Sequence, residues 1–330
     1  MAGIVYSAAG MRVVEIPRPG PPEVLSLRDR PEPEARSGDV LIEVHAAGVN
    51  FADVHARMGV YPEAPPMPFV PGYEVAGIER GTGRRVAALT RFGGYAEVVH
   101  VSADQVFEIP SGVSFEEAAA VPVNYVTAWI ALMEMARVRA GETVVVHSAA
   151  GGVGHAAIQI AQRHGARVVG VVGSAQKAQH LRALGVEPVV RPARPPVADV
   201  VVDPRGPGFA RDALASVRAG GRVVLYGAQE FVTGLRRHVL RAAWGYLRLD
   251  RIDPVELMHG NRGMFGLNVL RLAEEPAVVR GAMEHVWTGI REGWVRPRLD
   301  AAIPLERAAE AHRRLQERRN IGKVVLVVRG

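Results

Sequence analysis

Two stretches of this 330-residue chain carry residue types that handle phosphate. The first is His147-Ser148-Ala149-Ala150-Gly151-Gly152-Val153-Gly154, in which Ala149-x-Gly151-x-x-Gly154 is a relaxed form of the Gly-x-Gly-x-x-Gly pattern. Glycines at this spacing let the backbone turn tightly against a pyrophosphate and let the next helix pack on the preceding strand. That helix would turn unpaired N–H groups and a positive dipole end toward the anion. The pattern gains weight from its place between an apolar run, Thr143 to His147, and a helical one, Gly154 to His164. The second stretch is Gly173-Ser174-Ala175-Gln176-Lys177. A site for NAD carries Asp or Glu about 20 residues after the glycines, bonded to the ribose 2′-hydroxyl. Between Thr143 and Val186 this chain has no acidic residue. Gly173 and Ser174 leave room for a 2′-phosphate, Ser174 can donate a hydrogen bond, and Lys177 supplies a point charge. The expected cofactor is NADPH.

Other chemistry is excluded by composition. There is no cysteine, so disulfides, thiolate metal sites, iron–sulfur clusters and a cysteine nucleophile are ruled out. The formal charge is +6, and of 40 basic residues two are lysines, Lys177 and Lys323, leaving 38 arginines. A basic balance can mark nucleic acid or an acidic membrane as partner. Here the arginines are scattered, with Arg236, Arg237, Arg241, Arg248 and Arg251 as the densest group, and they read as a solvated surface. Nucleic acid is therefore not expected as a partner. Where arginine is the default cation, the two lysines are positions to watch. The N-terminal residues show no basic region followed by an apolar one, and no uncharged apolar run is long enough to span a bilayer. A cytoplasmic protein is expected.

These residues must be positioned by two kinds of architecture. Residues 1–118 read as β-rich: Val40 to Ala46 alternates, and Arg85 to Leu89 and Tyr95 to Val101 lie as strands between glycines. Ser114 and Glu117 form a capping box that predicts an Ala-rich helix, followed by a second helix around Thr127 to Met135. From Glu142 to Gly227 strand and helix alternate. Strands are expected at Thr143 to His147, Arg167 to Val172, Val197 to Val202 and Gly221 to Tyr226, with a helix at Gln176 to Leu184. Alternation with continuous apolar strands predicts an α/β fold with a doubly wound parallel sheet. A helix near Leu305 to Glu317 and a strand from Lys323 to Val328 follow.

The chain resembles the zinc-independent quinone oxidoreductases of the medium-chain dehydrogenase/reductase superfamily over nearly its whole length. The resemblance is carried by Asn50-Phe51-Ala52-Asp53 with Arg57, Gly59, Tyr61 and Pro62, by Val121 to Ala128, by His147 to Gly154 and Val172 to Gln179, by Gly220 to Gly227, and by Asn320 to Val324. Pro122-Val123-Asn124-Tyr125 together with Asn261 to Asn268 is most similar to the vesicle amine transport protein-like branch. The resemblance implies a Rossmann-type sheet inserted in a β-rich GroES-like catalytic domain. Its boundaries would be 1–118 and 269–330 for the GroES-like domain and 119–268 for the NADPH-binding one. It also implies a homodimer joined through the edges of the nucleotide sheets.

By the same resemblance Asn50 and Thr127 meet the nicotinamide end, and Ala150, Gly151, Gly152, Val153 and Gly154 hold the pyrophosphate. Gly173, Ser174 and Lys177 form the 2′-phosphate pocket, Tyr226 and Gly227 lie beside the cofactor, and Asn268 and Lys323 are further contacts. Tyr61 would be a proton donor or substrate contact, or an aromatic lid residue, and with Asn50 it forms the catalytic pair. Asp53 is expected to fix its loop, His45 and His147 to be structural, and a contact at His55 is left open. One segment departs from the family: Val189 to Pro196 leads almost directly into the next strand, too short for a crossover helix, and puts Arg191 where relatives carry tyrosine. Arg191 would stack on adenine or meet the 2′-phosphate. In Pro71-Gly72-Tyr73-Glu74-Val75-Ala76-Gly77, Tyr73 stands where metal-dependent relatives carry a histidine ligand, and Asn50 occupies the other expected ligand position. No metal is expected, and Glu74 is left to hold the floor of the cleft.

The expected activity is NADPH-dependent hydride transfer to a quinone or α,β-unsaturated carbonyl, which needs positioning more than side-chain chemistry. An alcohol substrate would need a Lewis acid or base that the chain does not assemble. The alternatives are an enoyl-thioester reductase, whose phosphate-bearing carrier would meet the Arg236 to Arg251 group, and a nucleotide-dependent binding protein for RNA or a membrane surface.

Overall fold

The computed structural model describes residues 6–34, 37–229 and 251–329. Arg236, Arg237, Arg241 and Arg248 of the basic group lie outside the described residues. β1 (Tyr6–Glu15) and β2 (Ser26–Pro33) form an antiparallel hairpin. β3 (Asp39–Val49), β4 (Glu74–Glu79), β5 (Arg85–Leu89), β6 (Val98–Ser102) and β7 (Val106–Glu108) belong to one seven-stranded sheet. In β3 Ile42, Val44 and Ala46 are buried while Glu43 and His45 are half-exposed, the alternation that the sequence shows.

Between β3 and β4 lies α1 (Phe51–Met58), which carries the first family motif. The Asp53 carboxylate caps this helix by accepting from Asn50 N at 2.7 Å and Gly72 N at 2.9 Å. Gly59 closes the helix at φ 67°, a conformation that costs glycine little. Arg57, fully buried, donates to Gly20 O at 3.1 Å, to His312 Nδ1 at 3.1 Å and to Gln316 Oε1, which ties α1 to the helix Ala308–Gln316. Asp53 thus fixes its loop through backbone bonds, as expected.

The capping box forms as read, with reciprocal bonds between Ser114 and Glu117, but its helix, α2 (Phe115–Ala118), is a single turn. The next helix, α3 (Pro122–Trp129), starts earlier than the sequence suggests because Pro122 sits at its first turn, where a missing N–H costs nothing. It widens into a π-turn over Ile130–Met135. Phe115–Met135 as a whole has the length and hydropathy of a membrane span, although Glu116, Glu117 and Glu134 interrupt its apolar run. Its most apolar window is 83% buried inside the protein, so protein rather than lipid covers it.

The chain then builds β8 (Thr143–His147), α4 (Gly152–Arg163), β9 (Arg167–Val172), α5 (Ala175–Ala183), β10 (Glu187–Val190), β11 (Ala198–Asp203), β12 (Val217–Leu225) and β13 (Gly263–Gly266). Six strands form one parallel sheet in the order β10-β9-β8-β11-β12-β13. The valines of β8, β9 and β11 are buried, as strands covered on both faces require. β14 (Leu299–Pro304) and β15 (Lys323–Val327) return to the first sheet, with β15 between β14 and β3. The parallel sheet is therefore spliced into the seven-stranded one.

β10 is a strand that the sequence reading did not assign. It has only four residues, and Pro188 is tolerated because β10 is the sheet's edge. Residues 191–197 then cross to β11 without a helix.

Candidate active site

The glycine turn joins β8 to α4. Ser148 takes φ 54°, Gly151 caps the helix, and the turn closes through Gly151 N donating to Ser148 O at 2.8 Å. A Cβ on Gly154 would lie 2.5 Å from Ser148 O and 2.7 Å from Ala149 Cα, so only glycine lets the helix sit this close to the strand end. A Cβ on Gly152 would lie 2.4 Å from Asn124 Nδ2 on α3. Gly151, Gly152, Val153 and Gly154 line one cleft, placing the first turn of α4 where a pyrophosphate can meet its dipole.

At the outer end of this cleft lie Gly173, Ser174, Lys177 and Arg191. Ser174 caps α5 by accepting from Lys177 N at 3.4 Å. Lys177 Nζ donates to Arg318 O at 2.7 Å. Burial, with the charges of Arg318 and Arg191, lowers the Lys177 pKa against the pull of Asp300. Burial and the guanidiniums of Arg318 and Arg205 lower that of Arg191. Among the described residues no ion pair joins Lys177, Arg191 or Arg318 to a carboxylate, and Asp300 is paired with Arg314. These three cations repel one another across the cleft, an arrangement that an anion of two charges would relieve. Arg318 was not read from the sequence. It follows the helix Ala308–Gln316 and reaches the cleft only because the tail folds back over the parallel sheet.

The floor is built differently. Lys323 Nζ is ion-paired with Glu74 Oε1 and donates to Asn50 Oδ1 at 2.6 Å. Asn50 Nδ2 donates to Glu74 Oε1 at 2.9 Å, and Val123 N donates to Glu74 Oε2 at 2.7 Å. Both ends of the Asn50 amide are engaged, and Glu74 fixes the start of α3, whose Thr127 Oγ1 donates to Val123 O at 2.5 Å. Gly322 N donates to Ala150 O at 2.8 Å, so the segment that delivers Lys323 also docks on the glycine turn. Glu74 holds the floor, as the sequence suggests.

The inner end is aromatic. The Tyr61 and Tyr73 rings meet edge to face at 6.2 Å between centroids, and Phe92 packs on Tyr73 at 5.1 Å. Burial pushes the Tyr61 hydroxyl up to about 12, and its hydrogen bond with the Asn268 side chain works against this shift. Asn268 Oδ1 accepts from Leu270 N at 3.1 Å, which holds that amide in place. His55 also borders the cleft, and burial holds its imidazole down to about 4, neutral at pH 7.

The cleft encloses about 1380 Å³ and brings together every residue expected there: Asn50, Tyr61, Thr127, Ala150, Gly151, Gly152, Val153, Gly154, Gly173, Ser174, Lys177, Arg191, Tyr226, Gly227, Asn268 and Lys323. Pockets for drug-sized ligands are about 300–1,000 Å³, so this one has room for a dinucleotide and a small second molecule. His45 lies apart, stacked on Phe115 at 4.3 Å, and His147 is buried under the turn with neither ring nitrogen bonded.

A zinc ion does not fit the donors present. Among the described residues no three His, Asp or Glu side chains cluster to hold one. Tyr73 is a buried phenol whose pKa is raised well above the ordinary value by burial and by Asp53.

Comparison with known proteins agrees with this geometry. Residues 36–111 match the alcohol dehydrogenase GroES-like domain, and residues 178–326 match the zinc-binding dehydrogenase family. The chain is 35% identical over 315 residues to the synaptic vesicle membrane protein VAT-1 homolog of Danio rerio, covering 89% of this chain and 65% of that protein's length. It is 31% identical over 343 residues to the quinone oxidoreductase of Rattus norvegicus, covering 96% of this chain and 98% of the relative. The crystal structure of the quinone oxidoreductase from Thermus thermophilus, also solved as its complex with NADPH, superposes with a TM-score of 0.82 at 35% identity, covering 96% of this chain and 100% of that one.

Proposed function

We propose that this chain, which belongs to the zinc-independent quinone oxidoreductase family of the medium-chain dehydrogenase/reductase superfamily, reduces quinones or α,β-unsaturated carbonyls with NADPH. The observation that carries this reading is a single cleft. It joins a helix N-terminus and three cations without carboxylate partners among the described residues at one end to an aromatic pocket at the other. NADPH, when bound, supplies a hydride from nicotinamide C4. The glycine turn receives the pyrophosphate, and Lys177, Arg191 and Arg318 receive the 2′-phosphate. Asn50 and Thr127, held by Glu74 and Val123, give the nicotinamide end a fixed wall. Tyr61, Tyr73 and Phe92 exclude water from the acceptor. Residues 1–118 with 269–330, and 119–268, are the two domains on this reading. The outer edge of β13 pairs with nothing among the described residues and suits a homodimer joined edge to edge.

The test is NADPH oxidation measured across quinones, enones and enoyl thioesters, with NADH in parallel. Turnover of quinones or enones with preference for NADPH is expected. Turnover of thioesters alone would move the reading to a biosynthetic enoyl reductase. Salt-sensitive RNA binding with no turnover of any acceptor would overturn it in favour of a binding protein.

A further inference from the structure

Two tyrosines face each other across the inner end of the cleft, and their hydroxyls differ. That of Tyr61 is hydrogen-bonded by Asn268. That of Tyr73 has no partner among the described residues, although the residue is only 1% exposed and lines the cleft. A buried hydroxyl without a hydrogen bond is rare in a well-packed protein, and phenylalanine would fill the same space without leaving a polar atom unsatisfied. The ring is packed on two sides. Phe92 packs on it at 5.1 Å, Tyr61 at 6.2 Å, and the next residue is Glu74, anchored by Lys323, Asn50 and Val123 N. A desolvated, unpaired donor on a residue that lines the cleft is suited to an oxygen that gains charge.

We propose that the Tyr73 hydroxyl donates the hydrogen bond that receives the carbonyl oxygen of the substrate, and that the Tyr61–Tyr73–Phe92 wall makes that substrate a flat, apolar carbonyl compound. This rests on the reductase reading above. For an enone, the hydride from NADPH forms a C–H bond at the β-carbon. The C=C electron pair moves to the α-carbon–carbonyl bond, and the carbonyl π pair moves to oxygen. An enolate and NADP+ result. Tyr73 holds the enolate oxygen, and a proton from water completes the saturated ketone at the α-carbon. The phenol keeps its own proton throughout, because burial and the neighbouring Asp53 oppose a buried phenolate. Tyr73 therefore orients and stabilises, and the proton consumed comes from solvent.

The test uses the NADP+-loaded protein with acetophenone, a flat carbonyl compound that cannot accept hydride from the oxidised cofactor, so binding is read without turnover. In the wild type the bound C=O stretch should move to lower frequency than in water. In Tyr73→Phe it should return toward the apolar-solvent value while acetophenone binding weakens roughly tenfold and NADPH binding stays unchanged. Removing an unpartnered hydroxyl should also raise the melting temperature of the free protein by about 1–3 °C. Steady-state kcat/KM on an enone should fall roughly ten- to a hundredfold. An unshifted carbonyl in the wild type, a shift kept in Tyr73→Phe but lost in Tyr61→Phe, or a Tyr73→Phe protein that melts lower would each overturn the proposal. Absence of enone and quinone turnover in the wild type, with the carbonyl shift intact, would instead fail the reductase reading and leave the binding role of Tyr73 standing.

Discussion

The two lysines of this chain line one cleft, Lys323 in its floor and Lys177 at its rim, and do opposite things. Lys323 is buried, paired with Glu74 and bonded to Asn50, so its charge is spent inside the protein. Lys177 lies at the rim with Arg191 and Arg318, bonded to a backbone carbonyl, so its charge is available to a ligand. A buried charge whose partner is also buried serves the architecture, because removing either leaves the other desolvated. A half-exposed group of like charges destabilises itself until an anion arrives. The residue type is the same, and the surroundings decide whether it builds the site or binds with it.

The largest effect that tests this contrast is at the floor. Glu74→Ala should cost about 3–5 kcal/mol in urea denaturation, because the Lys323 ammonium is left alone in the interior. The double variant Glu74→Gln, Lys323→Met should recover part of that loss. If it does not, the pair is not the unit that holds the floor. Lys177→Ala should leave urea stability within about 0.5 kcal/mol.

Acid should act on both ends through buried imidazoles. Burial lowers His55, His147 and His155 to about 4, from an ordinary value of 6.5. The folded protein therefore binds fewer protons than the unfolded chain between these values. The stability they contribute is full above about pH 6.5 and is lost as the pH falls toward 4, by about 1.4 kcal/mol per pH unit for each group. Asp53, raised to about 7 by burial, runs the other way: its contribution is full at low pH and is lost as the pH rises through 7. Urea midpoints between pH 7 and 5 should fall less steeply in His147→Leu than in the wild type. An unchanged slope would mean that His147 is not held neutral.

At the rim, Lys177→Ala should weaken NADPH about tenfold, which is about 1.4 kcal/mol, and leave NADH unchanged. Titrations at low and high salt should show the gap narrowing as screening grows. An unchanged NADPH/NADH ratio would remove Lys177 from the phosphate site. The smallest effect is expected from Ser174→Ala. Its capping bond to Lys177 N is long, at 3.4 Å, so about 0.5 kcal/mol of stability is expected to be lost.

Much of this was legible in the sequence because it was local. The turn from Thr143 to Gly154, the strand Arg167–Val172 and the capping box at Ser114 each advertise themselves within a dozen residues. The scarcity of lysine singles out Lys177 and Lys323, and both line the cleft. What stayed hidden depends on distant contacts. Glu187–Val190 has a proline and too few residues to show a period, and it becomes a strand only because β9 offers an edge. Gly263–Gly266 pairs with β12 although its ends are glycine. Arg318 reaches the outer end of the cleft from 141 residues beyond Lys177, and no pattern near either residue announces it. The different state of the two tyrosine hydroxyls follows from Asn268, which supplies a partner to one and not to the other.

The position of Lys323 has a consequence for how the molecule is made. Glu74 is synthesised 249 residues before the cation that neutralises it, and β15, which carries that cation, is inserted between β14 and β3. A nascent chain that has emerged through β7 holds a carboxylate with no counter-charge and a sheet with an open flank. The parallel sheet can fold during that interval, since its strands follow one another in the chain. The seven-stranded sheet cannot close until residue 323 is delivered, so the cleft is completed in one late step.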